Sequence, residues 1–328
     1  MQCFPVTIFA VEGDDPCQVT VDEWIDAYNL YRKANGIDVS TIKRDNIAFR
    51  LMRKVLQPYY IADITVDRML HMRKIWKTWK TGSPGRNRNI CALKAALRWA
   101  EKRYCLKKQD WTEVKKEDEQ GSLRNRTRGE FYLTTNELER LLSTASLFWQ
   151  MAIMLGARVG LRPGEIRHAS WSWVDFASKT ITIKPVECDC HTCKEKGSGL
   201  WKPKNGNAQR TISLGDDVVI FMVDFLNRKT GSKSPFILAQ DNQKALEEDQ
   251  LTINIQHLME IAKVKREGFC PYTLRHTYAS HMLQGGMPIA KLAALMGHSS
   301  TSITELYGHL APGNEHDAVN AALPALNF

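Results

Sequence analysis

Residues 106–130, LKKQDWTEVKKEDEQGSLRNRTRGE, constrain the architecture most. The stretch is polar, densely charged and without sustained apolar periodicity, the pattern of a connecting segment. On either side lie regions long enough to bury separate cores, so one continuous core is not expected. The chain is expected to divide into an N-terminal extension (1–17), a helical domain (18–105), a linker (106–130), a larger domain (131–313) and a tail (314–328).

In the first region, Thr20 and Glu23 have capping-box spacing ahead of Trp24, Ile25, Tyr28 and Tyr31 at helical intervals. Further helices are expected over 40–56, stopped by Pro58, over 65–80, closed by Gly82, and over 87–103. Basic residues crowd the last two, among them Arg73, Lys77, Arg86, Arg88 and Lys94. Taken singly each is an ordinary solvated side chain. Taken together they suit DNA phosphates, with Arg86 and Arg88 near a helix start where backbone donors also favour anions.

The second region opens with another capping-box spacing, Thr134 and Glu137, followed by an apolar, buried-type helix over 147–159. Strand signals are few. KTITIKPVE alternates β-branched residues, and GLWKPKNGNAQRTISL reads as two strands around a turn at Asn205 and Gly206. The fold class is therefore mainly α (α+β): a helical domain, then a mostly helical domain with a small antiparallel sheet. In the tail, Ala318, Val319, Ala322 and Leu323 suit packing on a neighbouring molecule or back on their own domain; the reading favours the neighbour.

Lysine and arginine outnumber aspartate and glutamate by 45 to 36, an excess of nine that fits a polyanionic partner. No apolar run approaches the ~18 residues of a membrane span, and the start lacks the pattern of a signal peptide. Eight cysteines in such a chain read as reduced thiols or metal ligands, and the cytoplasm is the expected location.

Four segments carry residues suited to chemistry at a phosphodiester. GLRPGEI holds Arg162, WKPKNG holds Lys204, YTLRHTYAS holds Arg275, and GHSSTSITELY holds His298 and Tyr307. Arginine forks bind two non-bridging oxygens and stay charged, so they can hold the extra negative charge of a pentacoordinate phosphorus. A tyrosine hydroxyl can form a covalent intermediate, and a lysine can protonate a leaving oxygen. Each residue alone has a bland reading as a cap, a turn, a surface pair or a core side chain. His298 and Tyr307 would face opposite sides of one unbroken helix, but Gly297 and the Ser/Thr run after it allow a turn that brings both to one cleft. No acidic metal cluster accompanies the set, so no cofactor is expected for the reaction.

In their order and local context these segments resemble the tyrosine recombinase (phage integrase) family, over about residues 18–313. GLRPGEI is similar to the family's first arginine box, LRHTYAS to its second, and LMGHSSTSITELYGHL to its histidine–tyrosine box. The resemblance implies a core-binding domain before the linker and a catalytic domain after it. It implies that Tyr307 attacks a scissile phosphate, forming a 3′-phosphotyrosyl link and releasing a 5′-hydroxyl that goes on to a Holliday junction. Arg162, Arg275 and His298 would stabilise the transition state, Lys204 would be the general acid, and Glu165 would support the network. It also implies double-stranded DNA and a homotetramer on paired sites, without a membrane. No extra arm-binding domain is expected before residue 18. A mobile-element integrase is the expected outcome; a topoisomerase-like nicking-resealing enzyme and an inactive DNA-binding regulator are the alternatives.

Two points depart from the family's pattern. Tyr272 stands where a histidine is usual, so it either donates a hydrogen bond to the phosphate without exchanging protons or only packs at the helix start. Lys202, two residues before Lys204, is a rival for the general acid. Separately, CDCHTCKEKGSG puts Cys188, Cys190, His191 and Cys193 within six residues. That density suits either a structural zinc ion, with a further ligand from elsewhere, or a reduced thiol-rich loop.

Overall fold

Side-chain caps at Thr20, Asp38, Thr65 and Thr134 start four of the described helices. The computed structural model describes residues 18–79, 82–117, 131–195, 199–203, 209–228, 234–239 and 244–298, and these form two compact units with the break inside 118–130. Expectations for 1–17, for 118–130, for the Asn205–Gly206 turn and for the tail lie outside the described residues.

The first unit is all helical. Helix α1 (Val21–Ala34) begins at the Thr20/Glu23 capping box, α2 (Val39–Leu56) at Asp38, and α3 (Val66–Lys77) at Thr65. Helix α4 (Ser83–Arg103) begins four residues before the expected Asn87, because Pro84 opens its first turn. Trp24, Phe49, Met52, Met72, Trp76 and Leu93 meet in the core, with the Trp24 and Phe49 rings edge to face at 5.3 Å.

The segment 106–117, read as linker, belongs to this unit. Trp111 and Val114 are buried in its core, and the Trp111 indole N–H donates to Glu101 Oε1 at 2.7 Å. The Asn87 amide donates to the Glu117 carbonyl at 2.9 Å and accepts from the Glu117 N–H at 2.7 Å. Two apolar anchors among charged neighbours decide the packing there, and average composition does not register them.

In the second unit, α5 (Thr135–Thr144) starts at the Thr134/Glu137 capping box, and α6 (Leu147–Ala157) is buried from Met151 onward. A short helix, α7 (Pro163–His168), leads to β1 (Val174–Asp175), β2 (Thr180–Ile183) and β3 (Val186–Glu187). After α8 (His191–Glu195) come β4 (Leu200–Trp201) and β5 (Arg210–Ser213). Helices α9 (Asp216–Arg228), α10 (Glu248–Ile261), α11 (Pro271–Gln284) and α12 (Ile289–Met296) complete the described part.

Antiparallel strands are present as expected, but their pairing differs. Strand β5 pairs with β2, with Ile181 opposite Ile212, in a three-stranded sheet ordered β1-β2-β5. Strand β4 pairs instead with β3, Trp201 opposite Val186, in a separate two-stranded ribbon inserted between β2 and β5. The core selects β2 and β5 as partners, since Ile181, Ile183 and Ile212 are all buried in it. Close packing elsewhere depends on Gly160, at φ +78°, where a Cβ would lie 2.4 Å from the Tyr278 ring. No helix among the described residues is long and apolar enough to cross a membrane.

Candidate active site

Arg162 is the residue before α7, and Pro163 and Glu165 fix its place. The Glu165 carboxylate accepts from the Arg162 backbone N–H at 2.8 Å and from its guanidinium at 2.9 Å, closing the N-terminus of α7. The other Arg162 nitrogen, Nη2, donates to the Gly297 carbonyl at 2.7 Å. Gly297 takes the left-handed conformation (φ +63°) that ends α12, which turns its carbonyl and the following His298 toward the arginine.

Arg275, in the second turn of α11, comes to the same place from another direction. Its Nη1 donates to the Gly160 carbonyl at 2.6 Å, and its Nη2 donates to the Met296 carbonyl and approaches His298 Nε2 at 3.3 Å. A guanidinium only donates, so Nε2 of His298 is the acceptor and the ring is neutral with its proton on Nδ1. The electrostatics agree: burial, then Arg275 and Arg162, push His298 down to about 4. Burial, then Arg275, likewise push His276 down to about 4. Arg275 itself is 4% exposed; burial and then Arg162 lower it to about 9, leaving it cationic at neutral pH.

Arg210, on β5, is a site residue the sequence reading missed. Its fork donates to both Glu165 oxygens at 2.9 Å, and its Nε donates to the Leu295 carbonyl at 2.6 Å. Burial alone would raise the Glu165 carboxyl, but the Arg210 fork and then Arg162 hold it below its ordinary value. Glu165 therefore braces two arginines from two elements. Three guanidiniums (Arg162, Arg210, Arg275) against this one carboxylate leave two positive charges in excess, which suits the charge of a diester transition state. Arg210 stands in a strand with only its pattern to mark it, and nothing local signals a partner 45 residues earlier.

Arg162, Glu165, Arg275 and His298 thus meet. Tyr272 lies in the first turn of α11, 50% exposed, close enough to Arg275 to act on its charge. Lys204 and Tyr307 lie outside the described residues.

In the first unit, Lys77 and Arg88 are exposed, while three of the five residues assigned to DNA hold down the segment at 114–117. Arg86 forms a buried fork with Glu117, its Nη2 at 2.6 Å; the Lys94 ammonium donates to the Val114 carbonyl at 3.0 Å; Arg73 donates to the Lys116 carbonyl at 3.4 Å. Arg86, partly buried, is thus paired with Glu117 in this structure.

The cysteine segment also differs from its expected form. Cys188, Cys190 and Cys193 are buried together, but the nitrogen ligand beside them is His168, not His191. The ligand atoms of His168 and the three cysteines all lie within 4.8 Å of one another, so the group could hold a metal ion. His191 is exposed at the start of α8, where its backbone N–H donates to Glu247 at 3.0 Å. Adjacency in sequence favoured His191; the end of α7 brings in His168 from twenty residues before Cys188.

Residues 132–314 match the model of the phage integrase family. A tyrosine recombinase XerC-like protein of Caldanaerobacter subterraneus is 28% identical over 182 residues, 51% of this chain and 46% of that protein. The chain spans about half the length of the curated relatives it matches. Among solved structures, the Tn1549 transposon integrase in complex with transposon right-end DNA superposes with a TM-score of 0.71 at 19% identity, covering 92% of this chain and 98% of that one. A lambda integrase tetramer bound to a Holliday junction gives a TM-score of 0.65 at 16% identity, covering 87% and 79%. These likenesses establish a shared fold, and the family match spans the segment that holds Arg162, Arg275 and His298. The chain belongs to the phage integrase (tyrosine recombinase) family.

Proposed function

We propose that this chain is a site-specific DNA strand transferase that cuts and rejoins duplex DNA for the integration or excision of a phage or other mobile element. The observation that carries the reading is the convergence of Arg162, Arg275 and His298, braced by Glu165 and Arg210, inside the segment that matches the family. Tyr307 attacks the scissile phosphorus, and its phenolic proton passes to water. A 3′-phosphotyrosyl bond forms, the bond to the 5′ oxygen breaks, and Lys204 protonates that oxygen. The two arginines and His298 hold the charge that builds on the non-bridging oxygens. The phosphotyrosyl link keeps the energy of the broken diester, so a 5′-hydroxyl of a partner strand can reverse the step and pass through a Holliday junction. No cofactor takes part. Four protomers on two paired duplexes, the number in the lambda integrase tetramer bound to a Holliday junction, and a cytoplasmic location complete the reading.

The test uses nicked duplexes built from the DNA that flanks the gene. The wild-type chain should leave a protein–DNA adduct that survives denaturation. Tyr307→Phe should bind the same duplexes and leave none. Adducts from the Tyr307→Phe protein would refute the nucleophile. Efficient relaxation of a supercoiled plasmid lacking these sequences would make the chain a topoisomerase-like enzyme, and binding without any adduct would make it a regulator.

A further inference from the structure

We infer that His168, Cys188, Cys190 and Cys193 form a structural zinc site, and that the ion clamps the β3–β4 ribbon onto the helix that presents Arg162 and Glu165. Three thiols and one imidazole, all buried, converge from two separate stretches of chain. Cys190 Sγ and Cys193 Sγ both lie 3.6 Å from His168 Nε2. A tetrahedral zinc with bonds of ~2.3 Å to sulfur and ~2.0–2.1 Å to nitrogen requires a sulfur–nitrogen edge of ~3.6 Å. Two equal edges of that length are what one central ion would produce. Two thiols competing for a single nitrogen lone pair have no reason to be equidistant from it.

The histidine is oriented for the purpose. Its Nδ1 is 2.7 Å from the Gly164 carbonyl, which can only accept, so Nδ1 carries the proton and Nε2 offers its lone pair to the cysteines. Metal-bound imidazoles are held by this kind of outer hydrogen bond. The Trp201 ring stacks on the His168 ring at 4.9 Å and 13°, and Phe236, Ala239 and Ala245 pack around the sulfurs. All four ligand groups are buried, as a four-ligand structural site requires.

The position gives the ion its role. Helix α7 starts beside Arg162 and Glu165 and ends at His168, six residues that rise only ~9 Å. The cysteines belong to the ribbon whose second strand, β4, leads toward Lys202 and Lys204. Zinc would tie the first arginine's helix to the connection between β3 and β4. This inference does not depend on the strand-transfer reading, because metal is counted without DNA.

The full chain, purified in reductant and gel-filtered after exposure to zinc, should hold about one zinc per molecule. His168→Ala and the double variant Cys190→Ser, Cys193→Ser should each lose it, whereas His191→Ala should keep it. The wild-type chain loaded with cobalt(II) should show the intense visible bands of a tetrahedral thiolate site, a readout that needs no variant to fold. Stripping the zinc should lower the melting temperature. A wild-type chain that takes up no zinc, a His191→Ala protein that loses it, or an unchanged melting temperature after stripping would each overturn the assignment.

Discussion

Arg162 and Arg275 hold neighbouring links of one chain: Arg162 donates to the Gly297 carbonyl and Arg275 to the Met296 carbonyl. Two arginines 113 positions apart in sequence are thereby set side by side at the end of α12, just before His298. Each guanidinium spends some donors on this frame and is locked in place by them. Geometry fixed in this way before substrate arrives is what a transition-state charge site needs.

Glu165 is the hub of that frame, so its removal should cost more than a surface change. Glu165→Ala takes the carboxylate from the Arg210 guanidinium, whose side chain is 6% exposed, and breaking a buried pair typically costs about 3–5 kcal/mol. Urea unfolding of the full chain should report a loss of that order in the second unit's transition. A loss under about 1 kcal/mol would mean that the Arg210–Glu165 pair is exchanged easily for water.

Stability should also depend on pH in a stated direction. His298 and His276 are both held near 4 in the folded chain, while in the unfolded chain a histidine titrates near 6.5. Between these values the unfolded state binds more protons, so acid favours unfolding there. The stabilising contribution is fully present above about pH 6.5 and is lost as pH falls toward 4. The melting temperature should fall across that window, and less steeply for His298→Gln. Parallel curves for the two proteins would show that His298 keeps an ordinary affinity for protons.

Lys204 should act on the leaving oxygen. Lys204→Ala should slow cleavage of ordinary DNA by ~10²–10⁴, and a 5′-bridging sulfur, which leaves without a proton, should restore much of the rate. Rescue of Lys202→Ala in place of Lys204→Ala would transfer the role to Lys202.

Tyr272 should contribute one hydrogen bond. Loss of a fully enclosed oxyanion donor costs ~10²–10³ in rate, and Tyr272, half open to solvent, should cost less than that as Tyr272→Phe. Arg275→Ala should cost more, since a full charge is removed. An unchanged single-turnover rate for Tyr272→Phe would reduce the phenol to a packing group.

What the sequence conveys well is whatever is local. Thr20 with Glu23 and Thr134 with Glu137 start helices because a capping box closes within one turn. The arginine boxes and the histidine were also visible, because each sits in a compact, distinctive setting. Arg210 and His168 were missed for one reason: their partners are dozens or scores of residues away, and a single side chain in a strand or at a helix end carries no mark of them. Trp111 and Val114 were lost in a charged stretch whose average describes neither.

The unbalanced charge of the arginine pocket has a consequence for the resting protein. Among the described residues three guanidiniums and one carboxylate are packed together, and the mutual repulsion of the arginines opposes folding. A bound polyanion would supply counter-charge there, and any ligand that binds only the folded chain raises its stability. In that sense the arginine cluster is an unfinished ionic lattice, which an anion would complete.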